Sequence, residues 1–214
     1  MIRFASVVID VDSTLSRIEG IEWLAKRCSP EVQASIEKTT TAAMSGAIPL
    51  EKVYGERLAM VKPTRAEVRA LGEAYIEGIS PGAREAIATL QQHGVQVAVV
   101  SGGLLDAILP LAEYVGVPPE LTRAVALSYD DDGVYRDYDR ESPVARRGGK
   151  PIVVRDLALP SPTLALGDGI TDAELAPVVD MFVAFTGVVC HEAVMRAAAS
   201  SIANFSELPP LVLG

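Results

Sequence analysis

The sequence predicts an α/β protein, an open parallel sheet with a block of helices inserted after its first strand. Three observations carry that expectation. Near-continuous apolar runs, "FASVVIDV" and "VQVAVV", read as strands buried on both faces of a sheet. Helical patterns alternate with such runs in the second half of the chain, as in βαβ units. Residues 15–75 instead hold four helical patterns with no strand between them.

Taken in order, the first strand ends on Asp10 and Asp12, carboxylates that an apolar strand would lose energy by burying. The insertion follows as "EGIEWLAKRC", "PEVQASIEKTTTAAM", "LEKVYGERLAMV" and "TRAEVRALGEAYIEG", each charged on one side. The main fold resumes at "SPGAREAIATLQQHG", where Ser80 is the expected N-cap, Pro81 the first helical residue and Gly94 the stop. After the second strand comes "GGLLDAILPLAEYVG", whose Leu104, Ile108, Leu111 and Val115 fall at helical spacing. From Leu127 to Tyr138 the chain reads as a hairpin turning at Asp132-Gly133, the acids lacking the alternate spacing of a calcium loop. Lys150 follows the permissive loop "RRGG" and leads into the helix "PIVVRDLAL"; "TLALGD" around Leu164 and "MFVAF" from Met181 are two more strands. The division is therefore 1–14 with 76–214 as the α/β core and 15–75 as the helical insertion.

The totals exclude some classes of function. Acidic residues outnumber basic ones, 28 to 19, for a net charge of −9, which argues against a broad nucleic-acid footprint or an anionic membrane surface. The N-terminal apolar run is too short, and too soon cut by acids, for a signal peptide, and nowhere does an apolar run reach membrane-spanning length. Cys28 and Cys190 lie far apart and outside any metal-type spacing, so they read as free thiols in a reducing, cytoplasmic setting, with a single disulfide as the alternative.

In an open α/β sheet, the loops at the carboxyl ends of the strands form the ligand crevice. Each chemical candidate lies there: Asp10 and Asp12 after the first strand, Ser101-Gly102-Gly103 after the second, Asp168-Gly169 after the third, and Asp172 at the start of the next helix. Alone, each has a plain reading: a solvated strand end, a helix cap, an acid favouring a helix dipole, a surface lysine at 150. Together they would crowd as many as four carboxylates, and a pair about 4 Å apart repels by about 4 kcal/mol at an effective dielectric of about 20. One lysine cannot neutralise four acids, so a divalent cation is implied, and all-oxygen ligands favour magnesium over zinc. Magnesium, a lysine and a Gly-rich turn with free N–H groups make a phosphate site. Neither G-x-x-x-x-G-K-[ST] nor G-x-G-x-x-G is present, so the phosphate belongs to a small substrate.

"DVDST", "SGG", the lone Lys150 and "GDGITD" resemble, in that order, the four motifs of the haloacid dehalogenase superfamily of aspartate-nucleophile phosphatases. Within it, "DVDSTLSRIEGIEWLAKRC", "TTAAMSGAIPLEKVYGERLAMV" and "LALGDGITDAELAPVVDMFVAF" are similar to the phosphoserine phosphatases. The resemblance implies a Rossmann-like parallel sheet core with an inserted helical-bundle cap, and hydrolysis of a small phosphomonoester, phosphoserine. It implies Asp10 as the nucleophile that becomes an aspartyl phosphate, and Asp12 as the acid and base for the leaving oxygen and the attacking water. Mg2+ would be held by Asp10, the carbonyl of Asp12 and Asp168, with Asp172 in support. Ser101, the Gly102 amide and Lys150 would hold the phosphate oxygens, with Gly103 and Thr171 beside them. Glu19 would take the substrate's ammonium and Arg57 its carboxylate, with Met44 lining the pocket.

The chain departs from that family at Thr186-Gly187-Val188, at His191, and at Leu50, where many relatives carry phenylalanine. None touches the four motifs, so the departures bear on the substrate rather than on hydrolysis. His93 and His191 have no Ser or Cys at a catalytic spacing. Two other readings stay open: another small phosphomonoester, including phosphoryl transfer to an alcohol such as homoserine, and a phospho-acceptor receiver module. Receivers carry their acceptor after a later strand and have no helical insertion.

Overall fold

A computed structural model describes residues 3–44, 48 and 50–214, with the side chains of residues 41–44, 50 and 51 left out. In the first half β1 (Ser6–Ile9) is followed by α1 (Gly20–Ala25), α2 (Pro30–Met44), α3 (Leu50–Val61), α4 (Arg65–Glu77) and α5 (Ala83–Gln92). Next come β2 (Gln96–Leu104), α6 (Leu105–Tyr114), β3 (Thr122–Val125), β4 (Leu127–Tyr129), β5 (Tyr135–Tyr138) and α7 (Gly149–Asp156). The chain closes with β6 (Thr163–Gly167), α8 (Ile170–Ala173), β7 (Met181–Phe185), α9 (Glu192–Ala197), β8 (Ser200–Ile202) and α10 (Leu208–Leu213).

Six strands form one parallel sheet in the order β3-β2-β1-β6-β7-β8. β1 lies inside it, Ile9 pairing with Val99 of β2 on one side and Leu166 of β6 on the other. All four residues of β1 are buried, which explains why its sequence is a run rather than an alternation. The chain builds outward from β1 through β2 to β3, then crosses to β6 on the opposite flank, so the strand order reverses beside β1. Such a reversal opens a crevice at the carboxyl ends of the strands, where Asp10, Ser101 and Asp168 stand.

The strands expected around Val7, Val97, Leu164 and Phe182 are all present, and the hairpin β4-β5 is a separate antiparallel ribbon. Its turn uses Gly133 at φ +78°, while Asp130 Oδ1 accepts from the amides of Asp132 and Val134. The edge strands β3 and β8 were not legible in advance. The start of α5 differs too: the helix begins at Ala83 behind Gly82 (φ +76°), not at Pro81. Ser80 is no N-cap because its hydroxyl is committed elsewhere, donating to the Thr14 carbonyl at 2.5 Å. Lys150, expected between the RRGG loop and its helix, lies in the first turn of α7, and Ser101-Gly102-Gly103, expected after the second strand, lie within β2, which runs on to Leu104 past an irregularity in its pairing with β3.

Between β1 and α5 the chain leaves the sheet and returns at a narrow neck. Ser16 bridges Ile79, the Arg17 amide donates to Gly78 O at 2.9 Å, and the Ser80 amide donates to Leu15 O at 2.9 Å. α1 packs against α2, α3 and α4 beyond that neck. α4 also lies along α6, Gly72 letting its backbone approach the Ala107 carbonyl, and it buries Val68, Leu71 and Tyr75. A capping box fixes where α4 begins: Thr64 Oγ1 accepts from the Glu67 amide and Glu67 Oε2 accepts from the Thr64 amide. Replacing Thr64 by alanine is expected to cost about 1 kcal/mol, seen as a lower urea midpoint at unchanged slope; an unchanged midpoint would show that tertiary packing alone sets this helix end.

Candidate active site

Asp10 and Asp12 remain extended past the last paired residue of β1, and the chain then turns at Ser13, whose φ is +51°. That left-handed residue reverses the backbone over Val11–Leu15 and sends two hydroxyls to two different acids. Thr14 Oγ1 donates to Asp168 Oδ1 at 2.8 Å, and Ser13 Oγ donates to Glu19 Oε1 at 2.5 Å.

Lys150 is only 4% exposed and lies between two buried carboxylates. Its Nζ is 2.7 Å from Asp10 Oδ1 and 2.6 Å from Asp172 Oδ1. Burial alone would pull the ammonium's pKa down, but Asp10 and Asp172 outweigh it and hold the lysine protonated. Asp172 Oδ2 in turn accepts from the Gly169 amide at 3.0 Å. A Cβ on Gly167 would collide with the Asp172 side chain, and one on Gly149 with the Pro143 carbonyl. Glycine is therefore required at both places for this lysine and this aspartate to meet.

Asp10, Asp168 and Asp172 each offer a carboxylate oxygen, and the three oxygens lie within 4.8 Å of one another. Burial raises Asp168 to about 8, with Asp10 and then Asp172 adding to it. Burial likewise raises Asp172 to about 7, with Asp10 next. Asp12 is raised to about 6, again by burial first and Asp10 second. Carboxylates held this far up are carboxylates short of positive charge. An all-oxygen set of buried acids, only partly offset by one lysine, fits a hard divalent cation.

A cavity of about 170 Å³ opens onto this cluster. Of the residues singled out from the sequence, Asp10, Asp12, Glu19, Arg57, Ser101, Gly102, Gly103, Lys150, Asp168, Thr171 and Asp172 all line it. The Met44 side chain and that of Leu50 lie outside the described residues. Thr186, Gly187, Val188 and His191 are not among the lining residues. Ser101 Oγ accepts from the Gly103 amide at 3.0 Å. On the insertion's side, Arg57 Nη1 donates to Thr40 Oγ1 at 3.1 Å while its buried Nε has no partner among the described residues. Burial depresses the Arg57 pKa and raises that of Glu19. Glu19 lines the cavity and is also exposed at the surface, so solvent screens part of that effect.

Sequence reasoning missed Tyr54, Tyr75, Thr40 and Arg147, which also line the cavity. Tyr54 and Tyr75 lie on apolar helix faces and look like core; Arg147, within "RRGGK", is separated from Lys150 by Gly148 and Gly149.

A family model for haloacid dehalogenase-like hydrolases matches residues 4–180. Phosphoserine phosphatase from Mus musculus is 36% identical over 206 residues, covering 95% of this chain and 91% of that protein. Among solved structures, a phosphoserine phosphohydrolase-like protein from Francisella tularensis superposes with a TM-score of 0.88 at 26% identity, over 97% of this chain and 99% of its own. A phospho-aspartyl intermediate analogue of phosphoserine phosphatase superposes with a TM-score of 0.81 at 25% identity, over 97% and 98%.

The raised acids fix how stability must vary with pH. Between the ordinary aspartate value and the raised one, the folded state binds a proton that the unfolded chain does not, so stability falls as pH rises. For Asp168 and Asp172 that window runs from 3.8 up to about 8 and about 7. The metal-free chain should therefore melt several degrees higher at about pH 6 than at about pH 8.5, and a saturating divalent cation should remove most of that slope by taking the protons' place. Asp168→Asn should flatten the metal-free slope; calorimetry showing the same slope in that variant would mean these acids are not its source.

Proposed function

The chain belongs to the haloacid dehalogenase-like hydrolases, and we propose that within this family it hydrolyses O-phospho-L-serine to L-serine and inorganic phosphate through an aspartyl phosphate on Asp10. The observation that carries this reading is one cavity with two kinds of wall. On the core side it is lined by Asp10, Asp168, Asp172, Lys150 and Ser101-Gly102-Gly103 at the end of β2; on the insertion's side by Glu19 and Arg57. A phosphate esterified to a zwitterionic amino acid presents matching groups to both. The similarity to the mouse phosphatase over nearly the whole chain supports the same substrate.

Asp10 attacks phosphorus, held in place by Lys150 at 2.7 Å. Asp12 gives a proton to the departing serine oxygen and takes one from the water that follows. Lys150, the Ser101 hydroxyl and the Gly102 amide bind the phosphoryl oxygens, whose charge must be stabilised during transfer. Mg2+ would suit this donor set, with Asp10, Asp168 and the carbonyl of Asp12 to hold it and Asp172 close by, and when bound it would supply the positive charge that lets a carboxylate meet a phosphate. Thr14 orients Asp168 through its 2.8 Å hydrogen bond.

Residues 15–75 act as the cap and 1–14 with 76–214 as the catalytic core. Glu19 receives the ammonium and Arg57 forks onto the carboxylate, which gives its unpartnered Nε an acceptor. Gly103 and Thr171 complete the wall. No helix among the described residues is long and apolar enough to cross a membrane. Two free thiols suit a cytoplasmic enzyme.

Purified protein with Mg2+ should release inorganic phosphate from phosphoserine, and Asp10→Asn should lower the rate by about a thousandfold or more. Retained activity in that variant would overturn the mechanism. Arg57→Lys keeps the charge and loses the fork, so KM should rise about tenfold or more with a smaller effect on kcat. A stoichiometric transfer of phosphate to added homoserine, in place of release, would move the chain to the phosphotransferase reading.

A further inference from the structure

We propose that Tyr75, on the last helix of the insertion, is a positioning residue that fixes which oxygen of Asp12 carries the proton. This rests on the role just assigned to Asp12. Tyr75 is fully buried on α4, 63 residues along the chain from Asp12, and its hydroxyl donates to Asp12 Oδ1 at 2.7 Å. The Gly20 amide, at the first residue of α1, donates to the same oxygen, also at 2.7 Å. Among the described residues, no donor is found on Oδ2.

An oxygen that already accepts two hydrogen bonds is the one stabilised with lone pairs free of a proton, so the proton resides on the other. That other oxygen faces the phosphate side. Asp12 Oδ2 lies 2.9 Å from the point where a Cβ on Gly103 would sit, and Ser101 Oγ lies 3.3 Å from the same point. The two oxygens of one carboxyl group are thus divided, Oδ1 toward the insertion and Oδ2 toward Ser101-Gly102-Gly103 at the end of β2.

The division suits both halves of the reaction. In the first, a bond forms from an Asp10 oxygen to phosphorus as the bond to the serine oxygen breaks, and the proton on Asp12 Oδ2 passes to that oxygen. In the second, a water oxygen bonds to phosphorus, the bond to Asp10 breaks, and a water proton returns to Oδ2. Without the Tyr75 hydroxyl, Oδ1 keeps only the Gly20 amide, and the carboxyl group is freer to turn its proton away from the leaving oxygen. Two glycines make room for this: a Cβ on Gly20 would collide with the Tyr75 hydroxyl, and one on Gly103 would crowd Asp12 Oδ2.

The test compares leaving groups. Serine departs as a poor leaving group that needs the proton, whereas acetyl phosphate releases acetate, which does not. With the full chain and Mg2+, Tyr75→Phe should lower kcat on phosphoserine by about tenfold or more, with KM changed less than about threefold, and its kcat on acetyl phosphate should fall by a much smaller factor. Gly20→Ala, which displaces the hydroxyl without removing the ring, should show the same selective loss and decides the matter if Tyr75→Phe does not fold. Equal losses on both substrates, or a loss confined to KM, would overturn the positioning role while leaving the function standing. A wild-type chain that releases no phosphate from phosphoserine would instead reject the function itself.

Discussion

A buried ammonium between two buried carboxylates sets the terms for everything around it. Lys150 reaches both Asp10 and Asp172, and Asp168 stands close enough to repel each of them. One cation among three such acids leaves the cluster short of positive charge, and the protein answers with neutral donors: Thr14 on Asp168, the Gly169 amide on Asp172. Burying paired charges rarely adds stability compared with apolar packing. This arrangement is better understood as reactivity held in a fold that tolerates it.

The tolerance comes from the sheet. β1 is buried on both sides and hydrogen-bonded to β2 and β6, so its end has little freedom, and Asp10 begins where that rigid segment stops. The left-handed Ser13 then folds the next residues back so that Asp12 and two hydroxyls serve the same crevice. Small residues do comparable work elsewhere. At Gly167 and Gly149 a side chain would occupy the space that the Asp172 side chain and the Pro143 carbonyl need.

Legibility in the sequence followed how local the determining physics was. The inner strands could be read because continuous apolar runs such as Val97–Val100 make sense only when buried on both faces. β3 and β8 could not: Arg123, Ser200 and Ser201 are exposed, and these short edges are strands only because β2 and β7 offer a ladder. Ser80 misled because a serine before proline satisfies local capping rules, whereas its hydroxyl is taken by Thr14 from the other side of the neck. Acids and glycines at strand ends were recognisable by their type and position. Tyr75 and Tyr54 were not, since on a helix each looks like one more apolar anchor, and only the tertiary fold shows a phenol facing the cavity.

The neck at Ser16, Arg17, Gly78 and Ile79 has an evolutionary consequence. Because the strand-free segment departs and rejoins at one hydrogen-bonded crossing, its length and composition can drift, or be replaced outright, without shifting the register of any strand. Closing a longer loop adds little entropy once its ends are already adjacent. Selection can thus retune which molecule is admitted while the bond-breaking apparatus stays as it is, provided each new version still brings a donor to the oxygen that Tyr75 now holds.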